Sequence, residues 1–296
     1  MSEFVAATGF GIVSAAIFAL AAVGFTLQFS VTNVLNIAFG ALMSLSAFIA
    51  YEFNVVVGID IWVALVIAGL ASGVLSVLLN RGLIQPFLKR GTSFFGMVVI
   101  TIALDLIVEY AIEAIWGPTF FHYNVSVGAP VSLGSMTFTH FQIVAIGISV
   151  AGMLAIHLLL KRTKLGKAMR ATSCDARLSK VCGIRTSRIH DAGWFISGVL
   201  AGVAGVILGL TLGTFSFTVG DEYLIVIIAA TMLGGIGQAY GAMLGAVVIG
   251  LVTQWSSLVI SGGYNEVVAF LILIAVLLVR PTGIISGVAA DRNMAG

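Results

Sequence analysis

Long apolar stretches, separated by short polar ones, make up most of this sequence. A helix needs about 20 apolar residues to cross the hydrocarbon core of a bilayer, and segments of about that length follow one another along the chain. The candidates lie at roughly 4–27, 34–57, 59–80, 94–116, 139–160, 190–212, 222–240, 241–261 and 265–280. The pattern predicts an all-α, polytopic integral membrane helical bundle of eight or nine hydrophobic segments in a single domain, residues 1–296.

The composition excludes an ordinary water-soluble domain. Hydrophobic residues make up 60% of the chain and charged residues only 9%, whereas a soluble domain carries about 25% charged residues. The 35 glycines show no collagen period. Glycine at this level favours helices that pack closely against one another in lipid.

Three groups contain all 14 Lys and Arg residues, near 81–93, 161–189 and 280–296, and nine of the 14 lie in the second group. Lys and Arg concentrate in cytoplasmic loops, so these three segments are predicted to be cytoplasmic, as is the C-terminus. The long loop from Ile115 to Thr139 and the turn Gly220-Asp221-Glu222 carry no Lys or Arg. Both are predicted to lie outside.

Several glycines recur at a spacing of four residues. They form three sets: Gly198 and Gly202; Gly205, Gly209 and Gly213; and Gly237, Gly241 and Gly245. This spacing places glycines on one face of a helix, where backbones can approach closely. The pattern favours packing within the chain, and a seam with a second subunit is the alternative.

The central basic segment contains the signals of a short helix. Ser173 or Asp175 is able to accept hydrogen bonds from free N–H groups at a helix start, and Gly183 suits the left-handed conformation that ends one. An ordered short helix between two spans suggests docking on another protein. The alternative is that its positive charges only orient the chain and contact anionic lipid.

Three carboxylates lie within one hydrophobic segment. Asp105, Glu109 and Glu113 are spaced by four residues, so they share one face of a helix. An Asp near the centre of a span costs about 2.5–3.5 kcal/mol on insertion scales, which argues against exposure to lipid. The stripe either meets a cationic group of a substrate or hydrogen-bonds to neighbouring helices, with Glu113 at the outer interface.

Asn33 and Asn36 precede small residues and Gly40. This pattern is able to break a span, so that half-helix ends meet a polar substrate. Hydrogen bonding between helices is the alternative role for Asn36.

Three stretches resemble the LivH-type permeases, the membrane subunits of high-affinity branched-chain amino acid ABC importers. The first is Gly24-Phe-Thr-Leu followed by Asn33-Val-Leu-Asn-Ile-Ala-Phe-Gly40. The second is Leu165-Gly-Lys-Ala-Met-Arg-Ala171 with Asp175 and Gly183-Ile184. The third is Met232-Leu-Gly-Gly-Ile-Gly-Gln-Ala-Tyr-Gly-Ala-Met-Leu-Gly245. The resemblance covers roughly residues 10–285.

The resemblance implies a permease of a bacterial cytoplasmic (inner) membrane that moves a small organic solute, most often a branched-chain amino acid, by alternating access. Its partners would be a second homologous, LivM-like permease, two cytoplasmic ATPase subunits and an extracytoplasmic substrate-binding protein. Residues 161–189 would form the coupling loop, with ATPase contacts at Gly166, Lys167, Arg170, Asp175, Gly183 and Ile184. The substrate pathway would include Asn36, Phe39, Gly40, Asp105 and Glu109.

The chain departs from that family at two places. Relatives commonly carry Asn-Phe-Ala-His-Gly and then an acidic residue, whereas Ile37, Phe39 and Ala41 do not match. Small polar or amide residues are more usual in the family where this chain has Asp105 and Glu109. The first difference makes this part of the pathway more apolar, which leaves room for urea, an amide or an organic acid as the solute.

No catalytic, cofactor or metal site is predicted in the chain. A P-loop needs Gly-x-x-x-x-Gly-Lys-Ser/Thr, but Gly166-Lys167 is followed by Ala168, so ATP would be used by the partner subunits. Cys174 and Cys182 lack the nearby histidines of a zinc site. Two other functions stay open: a proton-coupled secondary carrier that uses Asp105 and Glu109, and a membrane scaffold subunit.

Overall fold

The computed structural model describes residues 2–125, 131–133, 136–258, 264–279 and Gly283. Within these ranges the protein is a helical membrane bundle, and seven of its helices are long and apolar enough to cross a bilayer. The prediction of an all-α polytopic fold is therefore confirmed. The predicted cytoplasmic segment 280–296 lies outside the described residues, except for Gly283.

The helices are α1 (Ser2–Thr32), α2 (Phe39–Tyr51), α3 (Ile61–Leu79), α4 (Gln85–Lys89), α5 (Phe94–Trp116), α6 (His140–Arg162), α7 (Lys164–Cys174), α8 (Ala176–Val181), α9 (Thr186–Leu212), α10 (Val219–Gly234), α11 (Ala239–Ser256) and α12 (Asn265–Val279). Two π-helical turns, Glu52–Val56 and Asn80–Ile84, continue α2 and α3. A small antiparallel hairpin, β1 (Val131–Leu133) and β2 (Met136–Phe138), pairs Val131 with Phe138.

Each of the nine predicted hydrophobic segments overlaps one of these helices. Because its π-helical turn extends α2 to Phe39–Val56, the two shortest are α10, with 16 residues, and α12, with 15. A helix of that length spans about 24 Å, which is less than the roughly 30 Å of a bilayer core. Whether eight or nine segments cross the membrane therefore stays a prediction.

The chain is non-helical between α1 and α2, where Asn33 and Asn36 were predicted to be able to break a span. α1 ends at Thr32, and Asn33 follows with φ of 53°, a left-handed conformation that Asn tolerates better than most residues. Its N–H donates to the Phe29 oxygen at 2.7 Å. Within the same break, Thr101 of α5 donates to the main-chain oxygen of Leu35. Such partners matter because lipid offers no hydrogen bonds to an exposed backbone.

The chain divides into two compact units. The first contains Met1–Thr26, Val125–Met153 and Ile225–Gly296, and the second contains Leu27–Asn124 and Leu154–Leu224. Helices α2, α3, α5 and α9 lie wholly in the second unit, together with the short helices α4, α7 and α8. Helices α11 and α12 lie wholly in the first.

Close backbone contacts hold the first unit together. A side chain at Gly250 would collide with the backbone of Ala15, so α11 and α1 touch directly. Gly241 and Gly245 lie where α11 approaches Gly234 and Ala230 of α10. These two glycines therefore face a helix of the same chain.

Gly237 is placed differently from its predicted position on the same helical face. It lies in the turn between α10 and α11, with φ of 85°. The regular spacing was misleading here because a turn interrupts the helix before Gly241. Glycine is needed at this position for its backbone angle, since L side chains rarely adopt a positive φ.

The second unit is organised around a close contact between α3 and α9. A Cβ at Gly198 would lie 2.6 Å from the Cβ of Ser76 and 2.8 Å from the oxygen of Ser72. A Cβ at Gly202 would lie 2.9 Å from Gly69 Cα. Small residues on both helices thus permit the backbones to meet, which is the packing mode that lipid-embedded helices favour.

Replacing Gly198 by Ala is expected to lower the unfolding midpoint in detergent, because overpacking costs about 1–3 kcal/mol. Gly147→Ala is the matched control, since the added methyl group on α6 would meet no heavy atom within 4 Å. Thermal unfolding of both purified variants measures the difference. Equal midpoints would contradict the account of the contact.

Candidate functional site

Three carboxylates come together inside the second unit. Asp105 and Glu109 lie one turn apart on α5, and Asp221 lies in the first turn of α10. One carboxylate oxygen from each lies within 4.8 Å of the others. We call Asp105, Glu109 and Asp221 the carboxylate cluster. Glu113, the third acidic residue of the predicted stripe, is not part of it.

Local structure fixes both helices that carry the cluster. Ser93 caps the start of α5, where its hydroxyl accepts from the N–H of Gly96. The segment before α10 is held by Phe215, which exchanges two main-chain hydrogen bonds of 2.9 Å with Phe121 and packs its ring against Phe48. The position of Asp221 is therefore set in part by the segment that precedes its helix.

Asp105 closes the start of α2. Its Oδ1 accepts from the N–H of Ala41 at 3.3 Å. The N–H groups of the neighbouring residues are taken by main-chain oxygens of the break: Phe39 donates to Asn36, Gly40 to Ile37 and Leu42 to Ala38. A helix start favours a nearby negative charge, so Asp105 acts as a cap supplied by another helix. In this conformation no N–H among residues 39–42 is left for a substrate.

Asp221 packs directly against the start of α2. A Cβ at Gly40 would strike the Asp221 side chain, and the next residue back, Gly220, donates its N–H to Ser44 Oγ at 2.8 Å. Both carboxylate oxygens of Asp221 are inaccessible, and neither accepts a hydrogen bond from a donor within the described residues. The close approach requires glycine at positions 40 and 220.

The carboxylate cluster is chemically suited to hold a positive charge. Like charges this close repel one another unless a shared proton or a cation lies among them. Carboxylate oxygens are also the ligands that hard cations prefer, and they pair readily with an ammonium group. The geometry therefore suits a proton, a small cation or the cationic end of an organic solute.

Asp221 was missed at the sequence level, where residues 220–222 were predicted to form an outside turn. The structure places Asp221 and Glu222 in the first turn of α10 instead. Acidic residues directly before a long apolar run are typical of a helix start, and that signal was available. Its proximity to Asp105 was not, because no local pattern reports on contacts 116 residues apart.

The other predicted pathway residues are buried. Asn36 donates to Gln28 Oε1 at 3.4 Å, and Ser197 donates to the same oxygen at 2.9 Å. The amide nitrogen of Gln28 and the amide oxygen of Asn36 have no partner within the described residues. Phe39 is fully enclosed. A solute would reach these groups only after helices of the second unit move.

The central basic segment forms two short helices rather than one. Thr163 caps α7, where its hydroxyl accepts from the N–H of Gly166 at 3.0 Å. Asp175 caps α8 by accepting from the N–H groups of Arg177 and Leu178. Of the two predicted caps, Asp175 rather than Ser173 is thus in place. Gly183 follows α8 with φ of 84°.

The six predicted coupling residues fall into two groups. Gly166 is buried where α7 meets Leu159 and Leu160 at the end of α6, so a side chain there would collide with main-chain atoms. Ile184 is half-buried. Four residues are exposed: Lys167, Arg170, Asp175 and Gly183.

Helix α8 adds two exposed apolar side chains to the exposed residues of the central basic segment. Leu178 is 60% exposed and Val181 is 84% exposed. Met169 of α7, by contrast, is buried against Leu27, Val31 and Ile189. The loop therefore has an inner face that packs on its own unit and an outer face with unpartnered apolar groups beside Lys and Arg.

A cavity of about 220 Å³ lies within the first unit. The side chains that line this cavity are apolar. They therefore cannot compensate the charge of a buried ion. None of the residues predicted to line a pathway is among those that line it. They come from α1, α6 and α11: Ile12, Ala15, Ala16, Ala19, Ile146, Val150, Met153, Met243, Val247 and Leu251.

Comparison with known proteins supports the resemblance. Residues 7–277 match the family described as branched-chain amino acid transport system / permease component. The high-affinity branched-chain amino acid transport system permease protein LivH of Escherichia coli is 27% identical over 289 residues, which cover 93% of each chain. The ribose import permease protein RbsC of the same organism is 27% identical over 283 residues, 88% of this chain and 81% of that one.

The fold has a counterpart among solved structures. The structure of PsaBC from Streptococcus pneumoniae in complex with Fab matches with a TM-score of 0.52 and 12% sequence identity. The match covers 97% of this chain and 94% of that chain. At this identity the likeness concerns the fold alone.

Two substitutions at Asp105 are expected to separate capping from charge. Asp105→Asn keeps an oxygen for the Ala41 N–H and removes one negative charge from the cluster, so the unfolding midpoint should hold or rise. Asp105→Val leaves that buried N–H unpaired, which costs about 1–3 kcal/mol. Thermal unfolding in detergent, with Glu113→Gln as control, would show this order, and equal midpoints for the Asn and Val variants would refute the capping role.

Proposed function

We propose that this chain, which belongs to the permease family of branched-chain amino acid transport systems, is the membrane-spanning subunit of an ABC importer. It would move a small organic solute across the cytoplasmic membrane by alternating access, driven by separate ATPase subunits. The family match extends over both compact units, which supports treating residues 1–296 as one permease domain.

The main support for this proposal is the outer face of the coupling loop, which contains α7 and α8 (the α7–α8 loop). Leu178 and Val181 are large apolar groups on a helix of six residues, and water does not favour leaving such groups exposed in an ordered loop. Lys167, Arg170 and Arg177 lie on the same loop and are exposed. An apolar patch with a basic rim suits a groove on a soluble partner, and we assign that partner as a cytoplasmic ATPase.

A complete importer would contain further subunits. We propose a second homologous, LivM-like permease, two ATPases and an extracytoplasmic substrate-binding protein. The chain itself would bind no cofactor and hydrolyse no ATP, since it lacks a P-loop sequence. With the loop 161–189 facing the ATPases, the C-terminus would be cytoplasmic as well.

The carboxylate cluster gives the second unit a selective role in the pathway. In this conformation Asp105 is engaged by the start of α2. We propose that rearrangement of α2, α5 and α10 releases it, so that it and Glu109 meet the solute together with Asn36, Phe39 and Gly40. A cationic solute group would replace the Ala41 N–H as the partner of Asp105.

The negative charge of the carboxylate cluster limits the classes of solute that the pathway would accept. An amino acid offers an ammonium group to the carboxylates and an apolar side chain to Phe39, whereas an organic acid would be repelled by them. Relatives that carry ribose show that related permeases handle other solutes. A branched-chain or other amino acid is therefore our first assignment, and urea or an amide is the second.

One observation favours a different function. Three carboxylates within 4.8 Å of one another also suit a proton relay, as in a proton-coupled secondary carrier. Such a carrier would need no ATPase partner and would leave the apolar face of α8 without an assigned role. The two functions make opposite predictions about ATP.

Affinity purification of the tagged chain from native membranes, followed by mass spectrometry, tests the assignment. Two ATPase subunits and a second permease should accompany the chain. The double variant Leu178→Asp/Val181→Asp should lose the ATPases, because two charges replace the apolar contact. Phe120→Asp places a negative charge at a 76% exposed apolar position of the loop predicted to lie outside, and this control should keep them.

Two results would contradict the proposal. One is a chain recovered alone under detergents that preserve other ABC complexes. The other is ATPase recovery that the α8 variant does not reduce, which would remove α8 from the interface.

A further inference from the structure

A single carboxylate joins α3 to the start of α9. Asp191 Oδ1 accepts from Asn80 Nδ2 at 2.9 Å and from Gln85 Nε2 at 3.1 Å. Its Oδ2 accepts from Nε of Arg81 at 2.9 Å and lies 2.8 Å from Nη2 of the same guanidinium as an ion pair. We call these four residues the Asp191 clamp. Within the described residues, Arg81–Asp191 is the one Asp/Glu–Lys/Arg ion pair found.

The π-helical turn at 80–84 is what makes this arrangement possible. In a π turn the hydrogen bonds run from residue i to residue i+5, and the N–H of Gln85 does donate to the Asn80 oxygen. Residues 80 and 85 therefore lie one above the other on the same face. In a regular α-helix they would point in different directions, because the turn closes after 3.6 residues.

The residues of the Asp191 clamp differ in burial, and this decides how much each interaction contributes. Asn80 is fully buried, and the Asp191 side chain is only 13% exposed, whereas that of Arg81 is 65% exposed. Exposed ion pairs contribute little. The two amide donors and the buried carboxylate must therefore account for most of the interaction. If Asp191 were lost, Asn80 would keep a buried donor without a partner.

Asp191 lies next to the coupling loop along the chain. Helix α9 begins at Thr186, and only residues 182–185 separate it from α8. The loop also packs against the same part of α9, through Met169 and Ile189. A displacement of the loop would therefore be transmitted to the first turns of α9, where Asp191 lies.

The next turns of the two helices are also joined. Ser76 Oγ donates to the main-chain oxygen of Trp194 at 2.9 Å. Beyond this bond begins the close contact at Gly198 and Gly202. The clamp thus continues this contact to the end of the helix pair that is nearest the loop.

We infer that Asp191 is a positioning residue for energy coupling: it makes α3, through its π turn, follow the movement of α9 when an ATPase displaces the α7–α8 loop. The inference rests on the proposed function, and it adds a residue that no sequence motif marks. It requires Asp191 to contact neither solute nor ATPase. Its effect is on how much solute moves for each ATP hydrolysed.

The test uses the complete importer, purified with its ATPases and reconstituted into liposomes with its binding protein, and measures uptake and ATP hydrolysis together. In Asp191→Asn the amide group is able to accept at one atom only, so it no longer holds the two amide donors and Arg81 together. Solute transported per ATP should fall by about tenfold. Hydrolysis should continue, because the ATPase sites are untouched.

Two further variants provide a weaker change and a control for comparison. Arg81→Gln removes the exposed ion pair and keeps the amide donors, so the ratio should fall by about threefold or less. Asp60→Asn is the matched control: Asp60 caps the other end of α3 by accepting from the Trp62 N–H, and Asn caps equally well. Its ratio should equal that of the unaltered importer.

The outcomes separate the inference from the proposed function. If the unaltered chain yields no ATP-dependent uptake with its partners, the proposed function fails. If the unaltered importer works and Asp191→Asn transports as much solute per ATP, the inference fails alone. Lower yield or a lower unfolding midpoint of Asp191→Asn, with an unchanged ratio in the complex that forms, would make Asp191 a folding residue and also overturn the inference.

Discussion

The second unit depends on the direct contact between the backbones of α3 and α9. Lipid is as apolar as a leucine side chain, so association of these helices gains little from the hydrophobic effect and must come from packing and hydrogen bonds. Glycine and serine at positions 69, 72, 73, 76, 198 and 202 permit the approach. Only because the backbones are this close does Ser76 reach the main chain of Trp194. The clamp at Asp191 extends the same contact.

Charge burial is the second constraint. A carboxylate at membrane depth is costly and is usually retained for a function. Here Asp105 is stabilised by the start of α2, but Glu109 and Asp221 lie close enough to repel it. Asp105 Oδ1 lies against the Ala41 N–H at the start of α2 in this conformation, and in our proposal a solute reaches it when α2 rearranges. Recognition of a solute and rearrangement of α2 are therefore linked in our proposal.

Hydropathy alone located all nine hydrophobic segments, because the cost of placing polar residues in lipid is large and applies to every position of a span. The break at Asn33–Ala38 and the cap at Asp175 were also accessible, since both follow local rules of helix ends. Gly237 was misplaced because a regular spacing does not reveal that a turn intervenes.

Long-range contacts were not accessible in the same way. Nothing local indicates that Asp221 approaches Asp105, or that Asp191 collects donors from a π turn more than 100 residues away. These contacts result from the packing of whole helices. The exposed apolar face of α8 could not be predicted either. The sequence does not show which apolar side chains of this segment pack inward, as Met169 does, and which stay exposed.

The central claim is that ATP hydrolysis by partner subunits drives this permease. The most direct measurement is solute accumulation in liposomes that contain the purified complex, with ATP present or absent and with the proton gradient abolished by an ionophore. Our account predicts uptake that requires ATP and is unchanged by the ionophore. Uptake without ATP that the ionophore abolishes would contradict it, and would make the carboxylate cluster the proton path of a carrier.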